Sequence, residues 1–122
     1  MRISSAESVL MEVLWKKSPI PSDEIVAGVA QPNGWSESTV RTLLNRLLNK
    51  GAVKATRSGR QYFYRPAVER SQYVLAESRG LIDRLFDGRI SPLVAHLSEH
   101  ETLSADDIAE LKSLIARIEK DV

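Results

Sequence analysis

Basic side chains crowd one stretch of this chain. Seven Lys or Arg residues and no Asp or Glu occur between positions 41 and 65. They are Arg41, Arg46, Lys50, Lys54, Arg57, Arg60 and Arg65. Guanidinium and ammonium groups at this density suit an anionic partner such as a nucleic-acid backbone. A run of charged residues can also form an ordinary solvated surface. The pattern of the surrounding residues must therefore distinguish a binding surface from a solvated one.

Within this stretch the apolar period indicates a helix with two different faces. One face is aliphatic and consists of Val40, Leu43, Leu44, Leu47 and Leu48. The other face offers hydroxyls and amides, from Ser38, Thr42, Asn45 and Asn49. Arg41 and Arg46 flank the polar face, and Arg and Asn can both bond base edges bidentately. This pattern favours insertion into a DNA major groove, with an ordinary amphipathic surface helix as the alternative.

A second group of residues has the spacing of a metal site. His96, Glu99 and His100 match a pattern in which two histidines one helical turn apart hold zinc and the glutamate acts as a base. A peptidase also needs a third ligand and a substrate cleft, for which this short segment offers little room. We therefore expect no catalytic residue, metal or cofactor, and keep a zinc metallopeptidase and a regulatory metal site as alternatives.

Helix-start signals and proline breaks predict three helices before residue 51. Ser4 and Glu7 have capping-box spacing, and the helix that they begin should end before the proline-rich run 18–21. A short helix over about 22–30 should follow. The helix with the polar face should then run from the Ser36 cap to Gly51. Three helices in about fifty residues suit a helix-turn-helix unit.

After Gly51 the pattern predicts a β-hairpin, which would be the wing of a winged helix. Segments 53–56 and 61–64 flank a turn at 57–60 that contains Gly59. On or beside the hairpin tip we place three cations that would bind phosphates, namely Lys54, Arg57 and Arg60. The aromatic residues at 62–64 are expected to pack on the sheet rather than stack on bases.

The second half of the chain differs in charge and pattern. Residues 1–65 carry ten basic against five acidic residues, and residues 66–122 carry seven against eleven. Helices are predicted over about 68–86 and 92–97, followed by a last helix capped by Ser104 with Asp107. We assign a set of aliphatic side chains to dimerisation, namely Leu93, Leu97, Ile108, Leu111, Leu114, Ile115 and Ile118. A slim terminal helix cannot bury such a stripe alone.

The predicted fold is therefore mainly α with a small β-hairpin. Residues 1–66 form a winged-helix domain that binds DNA, and residues 67–122 form a helical dimerisation arm. The chain is 43% hydrophobic and has no cysteine, which excludes disulfides and thiolate metal sites. It shows neither a membrane-length apolar run nor a secretory signal pattern, so we expect a cytoplasmic protein without membrane insertion.

At this point the sequence resembles the penicillinase-repressor group of winged-helix regulators, the BlaI/MecI/CopY family. The resemblance covers nearly the full chain and is strongest over 35–51, with support from 12–15 and 103–111. It implies a homodimer on a palindromic operator, with interlocked C-terminal helices. It also implies DNA contacts for Ser38, Thr39, Arg41, Thr42 and Arg46, to which the polar face adds Asn45. The copper-responsive branch uses a C-terminal cysteine cluster that this chain lacks.

The resemblance further implies release from DNA by a cut in the dimerisation arm that depends on a membrane-bound sensor protease. The matching segment is 91–98, where His96-Leu97 stands at the position of the Asn-Phe pair of well-known members. A small effector and a passive fall in repressor level are alternatives. We predict a transcriptional repressor released by an inducing signal, with a helical protein-interaction module and a zinc metallopeptidase as alternative functions.

Overall fold

Ser4 begins the first helix through the capping box that the sequence predicts. In the computed structural model, which describes residues 2–101 and 103–122, the backbone N–H of Glu7 donates to Ser4 Oγ at 3.1 Å, and the N–H of Ser4 donates to Glu7 Oε1 at 2.9 Å. Two orphan donors at the helix start are thereby satisfied. Ser36 caps the third helix with a single bond, by accepting from the N–H of Thr39 at 3.2 Å. That helix ends at Gly51, whose φ of 78° suits glycine.

The chain divides into two compact units, one up to Val74 and one from Leu75 to Val122. The first unit holds three helices and three strands, in the order α1 (Ser5–Lys16), β1 (Ile20–Pro21), α2 (Ser22–Val29), α3 (Glu37–Lys50), β2 (Val53–Ser58) and β3 (Gln61–Pro66). A 3₁₀ turn, Gln31–Asn33, joins α2 to α3. Helix α4 (Arg70–Phe86) continues into the second unit. The mainly helical fold with a small sheet and a winged-helix N-terminal half is as predicted, whereas the predicted boundary at residue 66 stays a prediction.

The apolar face of α3 lies in the core of the first unit. Val40, Leu43, Leu44 and Leu47 are buried there, together with Leu10, Met11 and Leu14 of α1 and Ile25 and Val29 of α2. Trp15 packs against this core and donates its indole N–H to the carbonyl of Val68 at 2.9 Å. Because the core fixes the apolar side of α3, the polar side of the helix faces outward and takes no part in the packing.

The sheet has a third strand that the sequence analysis did not predict. Its order is β1-β3-β2, with Ile20 paired to Tyr64 and Pro21 to Phe63. A two-residue strand gives no detectable alternation, and Pro21 can lie in it because β1 is an edge strand. Burial of Ile20 against the core fixes this strand and closes the inner side of the sheet.

The second unit consists of the end of α4, α5 (Ile90–His100) and α6 (Ala105–Asp121). Helix α5 is longer than the predicted 92–97 because Pro92 lies in its first turn, where a missing N–H costs nothing. Ser104 caps α6 by accepting from the N–H of Asp107 at 3.0 Å, as predicted. Among the described residues from Leu75 onwards, none is fully buried. No helix in the described ranges is both long and apolar enough to cross a membrane.

Candidate nucleic-acid interface

The outward face of α3 presents the predicted polar residues. Ser38, Thr39, Thr42, Asn45 and Arg46 are all exposed. At the helix start, Oγ of Ser36 lies 3.1 Å from Oγ of Ser38 and 3.0 Å from Oγ1 of Thr39. Hydroxyls gathered at a helix N-terminus, where backbone N–H groups point outward, make a suitable site for a phosphate oxygen.

Arg41 stands beside this face, but its charge is already paired. Its Nη2 lies 2.9 Å from Oδ1 of Asp23 and 2.8 Å from Oε1 of Glu37. The Glu37 hydrogen bond, followed by that of Asp23, raises the pKa of the Arg41 guanidinium above its already high value. Neither partner was predicted from the sequence, and the assignment of Arg41 to DNA contact stays a prediction.

Lys50 is the second paired cation of the basic stretch. Its Nζ donates to Oε1 of Glu7 at 2.5 Å, and the Glu7 side chain is buried while that of Lys50 is partly exposed. The bond ties the last turn of α3 to the first turn of α1. Lys50 therefore supports the position of α3. The five remaining cations between 41 and 65 make no ion pair with any carboxylate among residues 2–101 and 103–122.

The hairpin corrects the predicted position of Lys54. Strand β2 extends to Ser58, which pairs with Gln61, so that the turn contains only Gly59 and Arg60. Lys54 is the second residue of β2 and pairs with Arg65 near the base of the hairpin. The prediction that Lys54 lies on or beside the tip is therefore wrong, because both strands are longer than their hydrophobic pattern indicates.

Strand alternation also places the wing cations on different faces. Arg57 pairs with Tyr62 on the face that, nearer the base, carries the buried Val53 and Tyr64. Its guanidinium lies 5.9 Å from the centre of the Tyr62 ring, and its Nε donates to the carbonyl of Gly59. Lys54 and Arg65 lie on the opposite face, and only Arg60 stands at the tip. Cross-strand pairing was the signal that could have brought Arg65 into the predicted site.

The aromatic residues of β3 follow the expected packing role. Tyr64 is buried in the core and Phe63 is half-buried, whereas Tyr62 is exposed and carries Arg57 on its ring.

In the second unit, the rings of His96 and His100 lie with centroids 4.6 Å apart on α5. Within the described residues, no group of three or more His, Asp or Glu side chains could hold a metal ion.

Comparison with known proteins decides the family. The family model described as penicillinase repressor matches residues 3–117. The chain belongs to the penicillinase repressor family. Among its relatives in that family, the penicillinase repressor of Bacillus licheniformis is 32% identical over 114 residues, which cover 93% of this chain and 89% of that one. The methicillin resistance regulatory protein MecI of Staphylococcus aureus strain N315 is 32% identical over 113 residues, with 93% and 92% covered.

A solved structure of a penicillinase repressor family member matches part of the fold. It is the solution structure of the monomeric form of BlaI from Bacillus licheniformis in complex with the blaP half-operator. That chain is 37% identical, with a TM-score of 0.54, and the match covers 60% of this chain and 89% of that one. The likeness supports the winged-helix assignment for the DNA-binding part of the family.

Proposed function

We propose that this chain is a transcriptional repressor that binds a palindromic operator as a homodimer. The observation that carries the proposal is an outward polar face on α3 in a member of a repressor family. Beside this face lies Arg46, which is exposed and makes no ion pair within the described ranges of the chain. The capped start of α3 would approach a phosphate while Thr42, Asn45 and Arg46 reach base edges in the major groove. The relative BlaI, whose structure was solved in complex with a half-operator, supports operator binding by this family member.

The wing would bind the DNA backbone beside the major groove. Arg60 at the tip and Arg57 next to it have no carboxylate partner in the described part of the chain. Lys54 and Arg65 form a second basic pair at the hairpin base. Phosphate contacts of this kind supply affinity and register rather than base choice.

Dimerisation is proposed for the second unit. Leu97, Ile108, Leu114, Ile115 and Ile118 are exposed in the single chain, and Leu93 and Leu111 are only half-buried. Apolar surface of this extent on helices that have no buried core residue requires a partner. A second copy of the same arm would supply that partner and hold two DNA-binding units together for two half-sites.

The test begins with enrichment of bound duplexes from a random-sequence DNA library, since the operator is to be found. Binding of the selected duplex is then measured by fluorescence anisotropy over a range of NaCl concentrations. We expect a palindromic site, a clear preference over random DNA and a steep decrease of affinity with salt. A protein that enriches no sequence at moderate salt is not a sequence-specific repressor.

We further propose that release from DNA follows a cut between His96 and Leu97 by a sensor protease. This peptide bond lies inside α5, so the helix must unwind locally before a protease can bind it. A cut there would separate α6 from the rest of the arm. Immunoblots of inducing cultures should show an N-terminal fragment of about 96 residues, and full-length protein throughout derepression would exclude this route. Peptidase activity that depends on added zinc would instead favour the enzyme alternative.

A further inference from the structure

Two carboxylates hold the guanidinium of Arg41 in the first unit. Nη2 contacts Asp23 of α2 and Glu37 of α3, Nε lies 3.3 Å from Oε1 of Glu37, and Nη1 lies 3.3 Å from Oγ of Ser22. An arginine side chain has five N–H donors. Four of them point to these partners, so the side chain retains one N–H for any other contact.

This arrangement prevents Arg41 from reading a base in its present position. A bidentate contact with guanine needs two adjacent N–H groups directed at O6 and N7. Arg41 can make that contact, or grip a phosphate with two N–H groups, only after it leaves at least one carboxylate. DNA must therefore compete with the protein for this side chain.

The two carboxylates that hold Arg41 also change the local charge at the start of α3. Two carboxylates around one guanidinium leave one net negative charge. One of them, Glu37, directly follows the capping residue Ser36 at the helix start where a phosphate is expected. The nearby acidic groups repel the DNA backbone, and they do so next to an otherwise basic stretch.

We propose that Asp23 and Glu37 form an anionic clamp that competes with DNA for Arg41 and thereby limits the affinity of the repressor for its operator. The proposal rests on the proposed function and assigns a regulatory role to two acidic residues outside the predicted site. Both also lie in the first turn of a helix, where carboxylates stabilise the helix dipole. The alternative is that they act only on stability and on general charge.

The test compares neutralised carboxylates in two backgrounds. Asp23→Asn and Glu37→Gln are combined in the wild-type chain and in an Arg41→Ala chain, and affinity for the selected operator duplex is measured by anisotropy at low salt. Competition for Arg41 predicts about three- to tenfold tighter binding in the wild-type background, as expected for the loss of exposed ion pairs. In the Arg41→Ala background the gain should be about twofold or less. Glu24→Gln is the matched control, since Glu24 lies in the same turn of α2 and pairs with Lys17 instead.

Each outcome decides the proposal. Equal gains in both backgrounds mean that the carboxylates repel DNA without competing for Arg41, and weaker binding means that the ion pairs serve to hold α2 against α3. Either result overturns the clamp, as does an unchanged affinity. Thermal unfolding by circular dichroism is recorded for every variant, so that loss of fold is not mistaken for loss of binding. A wild-type chain that selects no duplex refutes the proposed function itself, whereas failure of the variants alone refutes only the clamp.

Discussion

The carboxylate of Glu7 connects two helix ends that are far apart in sequence. Burial alone would raise its pKa. The hydrogen bond from Lys50 and the bonds with Ser4 lower the pKa by more than burial raises it, so that the pKa lies below the ordinary value of 4.5. Its second oxygen, Oε2, is buried and has no hydrogen-bond partner in the part of the chain that the structure describes. Glu7 is thus charged at neutral pH although its side chain is buried.

Glu7→Gln should destabilise the first unit at neutral pH. The variant loses the charged bond to Lys50, and we expect the free energy of unfolding at pH 7 to fall by about 1–3 kcal/mol, since a buried group loses its charged partner. Chemical denaturation of the variant and the wild type measures this. Glu12→Gln is the control, because the pair of Glu12 with Arg70 is exposed and should change stability much less.

The pH dependence of Glu7 follows from the direction of its pKa shift. Because the pKa is lower in the folded chain, its contribution is fully present above the unfolded value and is lost as the pH falls below 4.5 towards the folded value. The difference in unfolding free energy between wild type and Glu7→Gln should therefore become smaller as the pH is lowered from about 5, because protonation of Glu7 removes its charge. A gap that stays constant over this range would contradict the charged bond to Lys50.

Arg46 and Arg60 are expected to contribute to DNA binding in different ways. Arg60→Ala should weaken operator and random DNA by the same factor and reduce the salt slope by about one, because a backbone contact carries no base information. Arg46→Ala should weaken the operator more than random DNA, by on the order of tenfold. Anisotropy titrations with both duplexes at several salt concentrations separate these effects. If Arg60→Ala changed the base preference of the protein, the prediction that the wing contacts only the DNA backbone would be wrong.

At the residue level, the sequence predicted which side chains face outward but not how they pair. The apolar period of α3 was sufficient to predict that Ser38, Thr42 and Asn45 are exposed, because the apolar face of the helix must enter the core. Glu37 lies four positions before Arg41, a helical spacing from which that pair could have been predicted. Asp23 lies 18 positions from Arg41 and Glu7 lies 43 positions from Lys50, and these two distant partners were not predictable. Such pairs depend on tertiary packing, which leaves no local pattern.

At the element level, helix ends were predictable wherever a cap determined them. The Ser4, Ser36 and Ser104 caps accept the backbone bonds that the sequence indicates. Strand ends were less predictable, because the exposed β2 residues after Val53 carry no hydrophobic period. The wing was therefore predicted too short, and the cation at its base was assigned to its tip.

The aliphatic stripe of α6 makes a prediction at this scale. Ile115→Asp together with Ile118→Asp should convert the protein from a dimer to a monomer, because charged groups cannot be buried in an apolar interface without partners. Sedimentation velocity measures the change. Ser113→Asp is the matched control, since at helical spacing Ser113 lies on the opposite side of α6 from these isoleucines. Dimers that persist in the double variant would show that α6 is not the interface.

For the whole molecule, the two units should be separable. A chain that ends at Val74 should keep the core of the first unit and remain a folded monomer. Its operator affinity should fall by about a hundredfold or more, because the second half-site no longer binds as part of the same molecule. Sedimentation and anisotropy on full and half operators test this, and a truncated chain with undiminished affinity for the full operator would contradict the role of the arm.

The lack of buried residues among the described part of the second unit also affects how repression depends on gene dosage. If the arm acquires its core only when two chains meet, then at low abundance the active species varies with the square of the chain concentration. Each doubling of cell volume that halves the concentration of the chain would then reduce the concentration of the active dimer about fourfold. Growth after synthesis stops would consequently open the promoter more steeply than the chain itself is diluted, and no signal would need to act on the DNA-binding unit.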